Sequence, residues 1–199
     1  MKNLPSLGKS DLSSIRESDL YPSGVVVAAQ VAELAALLAF GVADHSREQW
    51  DEAAGACAQA QTLARRAAEL GQRGAEAYVL ARHALDDREE PPRPTTDQDQ
   101  ARRNWQLGVA VEHAAEAPLE LAASAADIAE LAQRISIHAV DDLRADAAVA
   151  TLLAAAAARA AARLVEINLA VGEKRQAVTA RGYAEAAAAA AASVEAADL

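Results

Sequence analysis

The chain has 199 residues, a formal net charge of -10 from 29 acidic against 19 basic residues, and a composition that is 52% apolar but only 3% aromatic. That length fits one domain, at about 100 to 200 residues per domain. The acidity works against binding a phosphate backbone, which needs clustered Lys and Arg, so no nucleic-acid partner is expected. The apolar excess is alanine, the best helix former and the residue whose helices approach most closely, which predicts an almost all-helical protein.

In chain order, residues 1–22 are mixed and polar, with a capping box from Ser14 to Glu17 that predicts one short helix in an N-terminal arm. "YPSG" breaks the chain, and Ser23 is placed to cap a helix that is apolar from Val25 to Val42 apart from Gln30 and Glu33, hence central. "DHSREQ" is the next break, where a capping box from Ser46 to Gln49 opens a long helix to about Leu85 with weak points at Gly71 and Gly74. The prolines of "DDREEPPRPTTDQ" make it a linker, and Thr95 with Gln98 opens the helix that follows.

That helix raises a question. Its stripe Leu107, Val111, Ala114 resumes as Leu121, Ala125, Ile128, Ile135, so the helical period runs through Pro118. Proline there removes a backbone donor, crowds the Ala114 carbonyl and costs about 3 kcal/mol in a helix interior. After "ISIHAVDD" the stripe Val149, Leu153, Ala156, Ala160, Leu164, Ile167, Val171 predicts another long helix, ended by Gly172, and residues 173 to 196 read as a last one. With no alternating strand pattern, the fold class is all-α: a helical bundle of about five to seven helices, forming one domain over 23–199.

The one cysteine, Cys57, has no intramolecular partner, and no basic start with an apolar run and small-residue cleavage site precedes the domain; a cytoplasmic protein is expected. Uncharged runs such as "AAVATLLAAAAA" before Arg159 fall short of the ~20 residues of a membrane span, so none is expected. No His follows a Glu by three, and His45, His83, His113 and His138 make no i, i+4 pair, so no metal site is expected. There is no Walker A loop, dinucleotide glycine fingerprint or nucleophile elbow. Cys57, among small residues in a helix, reads as a buried inert thiol.

Three stretches together resemble the folate cyclodeaminase and cyclohydrolase family, which comprises formimidoyltetrahydrofolate cyclodeaminase and methenyltetrahydrofolate cyclohydrolase. "AAEAPLELA" is similar to a family segment in which an acidic residue, a small residue, Pro and Leu follow one another, matched by Glu116 and Pro118. "ADAAVATLLAAAAARAAARLVEIN" resembles a Ser-Asp-Ala-Gly start and a long small-residue helix ending in Asn, keeping Asp146 and Asn168. "PSGVVVAAQVAELAALL" lies where the family has Pro, a glycine run and Ser before the first core helix. The chain departs from the pattern with Val25 and Val26 in place of Gly and Ser, Gly74 in place of an acidic residue, and Leu164 in place of Asn; a basic stretch after the first helix is missing.

The resemblance implies a cyclodeaminase-like bundle that closes or opens a carbon-nitrogen ring on a folate or other small molecule, with no cofactor beyond a possible tetrahydrofolate substrate. It implies Asp146 and Glu116 as catalytic groups, Ser23, Gly24, Asp142 and Asn168 as substrate-binding ones, and Arg159, Arg163 or Arg103 as cations for a glutamate tail. It implies a pocket near Ser23, Gly24, Glu116 and Asp146, with Pro118 shaping its wall. The alternatives are a diverged relative catalysing a different small-molecule cyclisation or elimination, and a non-catalytic assembly protein.

Each site residue also has a plainer reading. Asp146 falls in a first helical turn capped by Asp141 or Asp142, where the helix dipole favours an acid by ~0.3 to 1 kcal/mol. Glu116 stands four residues from Glu112 and from Glu120, as in a solvated acidic face. Asp146 and Asn168 are 22 residues apart, roughly 33 Å along a straight helix, so they cannot share one small ligand within a chain. The alanine-rich faces of "ATLLAAAAARAAARL" and "AEAAAAAAASV" point to a homodimer.

Overall fold

The computed structural model of the chain describes residues 23–89, 96–169 and 174–197. Five α-helices follow one another: α1 (Gly24–His45), α2 (Ala53–Glu89), α3 (Asp97–His138), α4 (Arg144–Asn168) and α5 (Lys174–Glu195), with one 3-10 turn at Asp141–Leu143 before α4. No strand occurs among the described residues, and the all-α bundle expected from alanine content is the observed fold. The expected short helix at Ser14, the linker's residues 90–95 and Gly172 lie outside the described residues, and the expected linker is shorter than its sequence suggested, since α2 continues past Leu85 to Glu89 and α3 begins at Asp97.

α1 packs between α2 and α4 and against α3, while α5 covers α4 and α3. Its buried residues Val25, Ala28, Ala29, Ala32, Ala35, Ala36 and Ala39 recur at three- and four-residue steps, and all but the valine are alanines. Alanine lets a neighbouring backbone come close, and α2 meets α1 at glycines. A Cβ built on Gly71 would lie 2.9 Å from the Ala29 Cβ, and one on Gly74 would lie 2.6 Å from a Val25 methyl. The two glycines that read as weak points in a helix are therefore where α1 and α2 touch.

Ser23 occupies the N-cap position with extended backbone, and its carbonyl accepts from the amides of Val26 (2.9 Å) and Val27 (3.3 Å), but its hydroxyl makes no capping bond. At α3 the cap is Thr96, one residue beyond the expected Thr95, with its Oγ1 accepting from the Asp99 amide at 3.1 Å.

Other expectations are corrected. Ser46 does not open a helix. It closes α1: its buried hydroxyl donates to the Val42 carbonyl (2.8 Å) and accepts from the Val140 amide (3.2 Å), and α2 begins only at Ala53. Asp141 and Asp142 do not cap α4 either. They start the 3-10 turn, Asp141 pairs with Arg144 at 3.0 Å, and the residue before α4 is Leu143, which offers no side-chain cap.

The stripe that predicts a helix here lies in α4, but Val149, Leu153, Ala156, Ala160 and Ile167 of it are exposed, whereas the buried face is Ala147, Ala150, Thr151, Ala154, Ala158, Ala161 and Val165. α4 touches α1, α3 and α5. α4 offers mainly alanine methyls to those neighbours and turns Leu152 and Leu153 outward, while α3 supplies the larger buried side chains Leu121, Ile128, Leu131 and Ile135. The uninterrupted apolar runs also understated helix length: α1 and the stretch 141–168 are each long and apolar enough to cross a membrane, with 44% and 50% of their most apolar windows buried in the bundle.

Gly74→Ala should destabilise the protein by about 1 to 3 kcal/mol through overpacking against Val25, although glycine to alanine in a helix ordinarily gains nearly 1 kcal/mol. Val25→Ala in the same chain should recover most of the loss. Denaturant titration of the two single variants and the double variant checks this.

Candidate functional site

Two ends of the bundle carry the residues that chemistry would use. At one end α1 begins, and Gly24 lies against Leu164 in the last part of α4, where an added Cβ would sit 3.3 Å from a leucine methyl. Val25 reaches Gly74 of α2. One helical turn beyond Leu164, half-buried Asn168 donates from Nδ2 to the Ala114 carbonyl of α3 at 2.9 Å. That carbonyl is the one Pro118 deprives of its helical donor, so Asn168 replaces the missing amide and α3 continues unbroken from Asp97 to His138. Buried Ala115, Ala162, Val165, Leu169 and Ala180 pack beside this bond.

Around it lie polar groups. Glu116 is exposed and its Oε2 is 3.2 Å from Nδ1 of His113, one turn back on the same helix. Arg73 of α2 makes a two-pronged contact to Glu120 at 3.0 and 3.2 Å, and that hydrogen bond, with a smaller push from Glu116, raises the Arg73 guanidinium above its ordinary range. On α4, Glu166 receives Arg181 of α5 at 2.8 Å and Arg163 at 2.9 Å, bonds that hold its carboxyl below the usual range. The Ser23 hydroxyl oxygen is buried at this end with no hydrogen-bond partner.

The opposite end holds the rest. Trp50 is buried and stacks on His138 with ring centres 5.2 Å apart at 14°. Asp142 and Asp146 are exposed there, beside the Ser46 and Val140 contact rather than beside Ser23. Asp146 stands 18 residues from Leu164, roughly 27 Å along α4. Within one chain the expected pocket of Ser23, Gly24, Glu116 and Asp146 is therefore not assembled. Ser23, Gly24, Glu116 and Asn168 gather around the end of α4, and Asp142 and Asp146 stand a helix length away.

Arg163 is held by Glu166, and Arg159 is exposed on the outward face of α4. Cys57 is buried, with Sγ 3.9 Å from the Phe40 carbonyl, and burial pushes its thiol upward, away from the thiolate a nucleophile needs. Among the described residues no group of three or more His, Cys, Asp or Glu is placed to hold a metal ion.

His113 and Arg73 were not among the sequence candidates. The three-residue spacing of His113 and Glu116 was legible, since such pairs meet on a helix surface. Arg73 was not, because its partner Glu120 lies 47 residues away on another helix.

The family model described as Formiminotransferase-cyclodeaminase matches residues 11–181, and the chain belongs to that family. No match appears among curated proteins. Among solved structures the chain is similar to formiminotetrahydrofolate cyclodeaminase from Thermotoga maritima, with a TM-score of 0.70 and 18% identity over 96% of this chain and 91% of that one. The two share a fold.

Asn168→Ala should cost about 1 to 3 kcal/mol by leaving the Ala114 carbonyl unpaired. In a Pro118→Ala background, where residue 118 again offers an amide to Ala114, the same change should cost under half as much. A double-mutant cycle by chemical denaturation reads the difference.

Proposed function

We propose that this member of the formiminotransferase-cyclodeaminase family closes or opens a carbon-nitrogen ring on a tetrahydrofolate or a closely similar one-carbon small molecule, at the end of the bundle where α1 begins. The observation that supports this best is a coincidence around the last two turns of α4. The Ser23 hydroxyl is buried without a partner, and the helix irregularity at Pro118 is held by Asn168 two residues from Glu116. A hydroxyl of that kind is costly unless something else bonds to it.

Glu116 and His113 form the carboxylate and imidazole pair that proton transfer needs. Expelling ammonia on ring closure requires a proton at the departing nitrogen. Opening the ring requires one to be taken from water. In this reading Glu116 moves the proton with His113 beside it, Ser23 and Gly24 meet the ligand, and Asn168 acts as a positioning residue through the Ala114 carbonyl. Asp142 and Asp146 take no part from within the same chain. The reading is of a cytoplasmic enzyme needing no cofactor besides its folate.

A second reading, a different small-molecule cyclisation or elimination, is favoured by the contacts of Val25 with Gly74 and Leu164 with Gly24. They place methyl groups where a polar ligand edge would want donors, and each unpaired ligand group costs ~1 to 3 kcal/mol on burial. Such a site would bind folates weakly.

Titration with 5-formimidoyltetrahydrofolate and 5,10-methenyltetrahydrofolate, followed by turnover assays, separates the two. The folate reading expects saturable binding and turnover that falls about 10²- to 10⁴-fold in Glu116→Gln, with affinity little changed. An intact fold that binds neither folate would transfer the site to the second reading, or to a non-catalytic role if no small molecule is turned over.

A further inference from the structure

The points at which α1 and α4 stop show how far α2 and α3 outrun them. Val25, at the start of α1, meets Gly74, and Asn168, at the end of α4, meets the Ala114 carbonyl. Beyond those levels α2 continues over 75–89 and α3 begins over 97–113, so a two-helix arm extends about 22 to 26 Å past the proposed site. Its seam is narrow. Ala77 and Ala81 of α2 are buried, and Arg103, Leu107 and Ala110 of α3 are half-buried at steps of four and three.

The opposite face of α3 carries Arg102, Trp105, Val109, Glu112 and Glu116, all exposed and, at 3.6 residues per turn, within an arc of about 80°. Trp105 is exposed by 69%, more than any other large apolar residue among those described, and Val109 by 47%. The chemistry changes in order along this line. From the proposed site outward it runs from the Glu116 and His113 pair through the Glu112 carboxylate to aliphatic Val109, aromatic Trp105 and the Arg102 guanidinium. Trp105 stands roughly 16 Å along the helix from Glu116, and Arg102 nearly one turn further. Arg102 has no ion-pair or hydrogen-bond partner among the described residues.

We propose that this face of α3 is the track on which the non-reacting part of the substrate lies, with Trp105 stacking on a flat ring and Arg102 pairing with an anionic tail. This extends the reading that makes Glu116 the proton carrier, and rests on it. The substrate class is an elongated molecule that is cationic at its one-carbon end, aromatic in the middle and anionic at the far end. A formimidoyl group is an amidine that carries positive charge, and a methenyl bridge is an iminium cation, so either suits the end where Glu112 and Glu116 lie. The reverse orientation would set the tail's carboxylates against those acids, so charge fixes the direction of binding. An indole face accepts an aromatic ring in offset stacking, and a guanidinium grips a carboxylate with two parallel bonds. Both contacts are made to atoms that do not react. They are equal in ground and transition states and act on KM rather than on kcat.

The probe is p-aminobenzoylglutamate, which has the ring and the tail without the reacting head. It should quench the tryptophan emission of the wild type saturably, but not that of Trp105→Phe, whose remaining tryptophan is buried Trp50. With 5-formimidoyltetrahydrofolate, Trp105→Ala and Arg102→Gln should each raise KM about tenfold at unchanged kcat, and Trp105→Phe less than about threefold. Leu80→Ala, on α2 of the same arm and exposed by 57%, should change neither constant. Circular dichroism should show every variant helical. Wild-type emission indifferent to the probe would overturn the proposal, as would a KM untouched by Trp105→Ala and Arg102→Gln, or an equal effect of Leu80→Ala. Glu116→Gln separates this outcome from the fate of its premise. Quenching that persists while Glu116→Gln turns over at the wild-type rate upholds the track and moves proton transfer elsewhere; lost turnover in Glu116→Gln without quenching keeps Glu116 and removes the track.

Discussion

Close approach of helix backbones is the constraint from which the remaining features follow. Nearly every residue that α1 contributes to the core is alanine, and α2 meets it at Gly71 and Gly74, where even a methyl group would collide. The larger core side chains come from α3, where Leu121, Ile128, Leu131 and Ile135 are buried, while α4 contributes mainly alanine and turns Val149, Leu152 and Leu153 outward. The same closeness is unforgiving of a mismatch. Val25 fits only because residue 74 has no side chain, and the two positions act as one packing unit although 49 residues of sequence separate them.

A thin core also demands long, unbroken helices, since each residue contributes little buried surface. α3 is 42 residues long and contains a proline near its midpoint. The helix survives because the carbonyl orphaned by Pro118 is bonded by Asn168 from α4. This bond does two things. It satisfies a partly buried acceptor, and it fixes the end of α4 against the part of α3 that carries His113, Glu116 and Glu120. The polar groups at this end are thus placed by the device that keeps the helix intact.

The sequence showed the helices well and their faces poorly. Ser23 and Thr95 announced helix starts to within a residue, although only Thr96 caps through its side chain. Ser46 looked the same and behaved otherwise, since its hydroxyl bonds to Val42 behind it and Val140 across the fold, and the second partner is invisible to a local reading. The apolar stripe of α4 marked a helix without marking which side is core, because periodicity reports two apolar sides equally when one is alanine and the other leucine; packing distance decides between them. Pro118 and Asn168 were each legible as unusual residues, but their connection was not. The separation of Asp146 from Asn168 was read correctly from helical rise alone, and the same arithmetic divides the candidate site between two ends of the bundle.

The contact of Ser46 with Val140 bears on the order in which the chain acquires its shape. The two residues are 94 apart in sequence. Helix α1 and the first part of α2 are neighbours in the chain and can pair as soon as both exist, but the turn between them is completed only by a group that lies beyond the whole of α3. Contacts of such separation carry loop-closure entropy that must be offset by interactions formed earlier. During synthesis, therefore, the amino-terminal hairpin must wait without the Val140 amide on its Ser46 hydroxyl, and with its apolar helix uncovered, until about residue 140 has emerged. Throughout that interval its alanine face is open to any other helix that reaches it first.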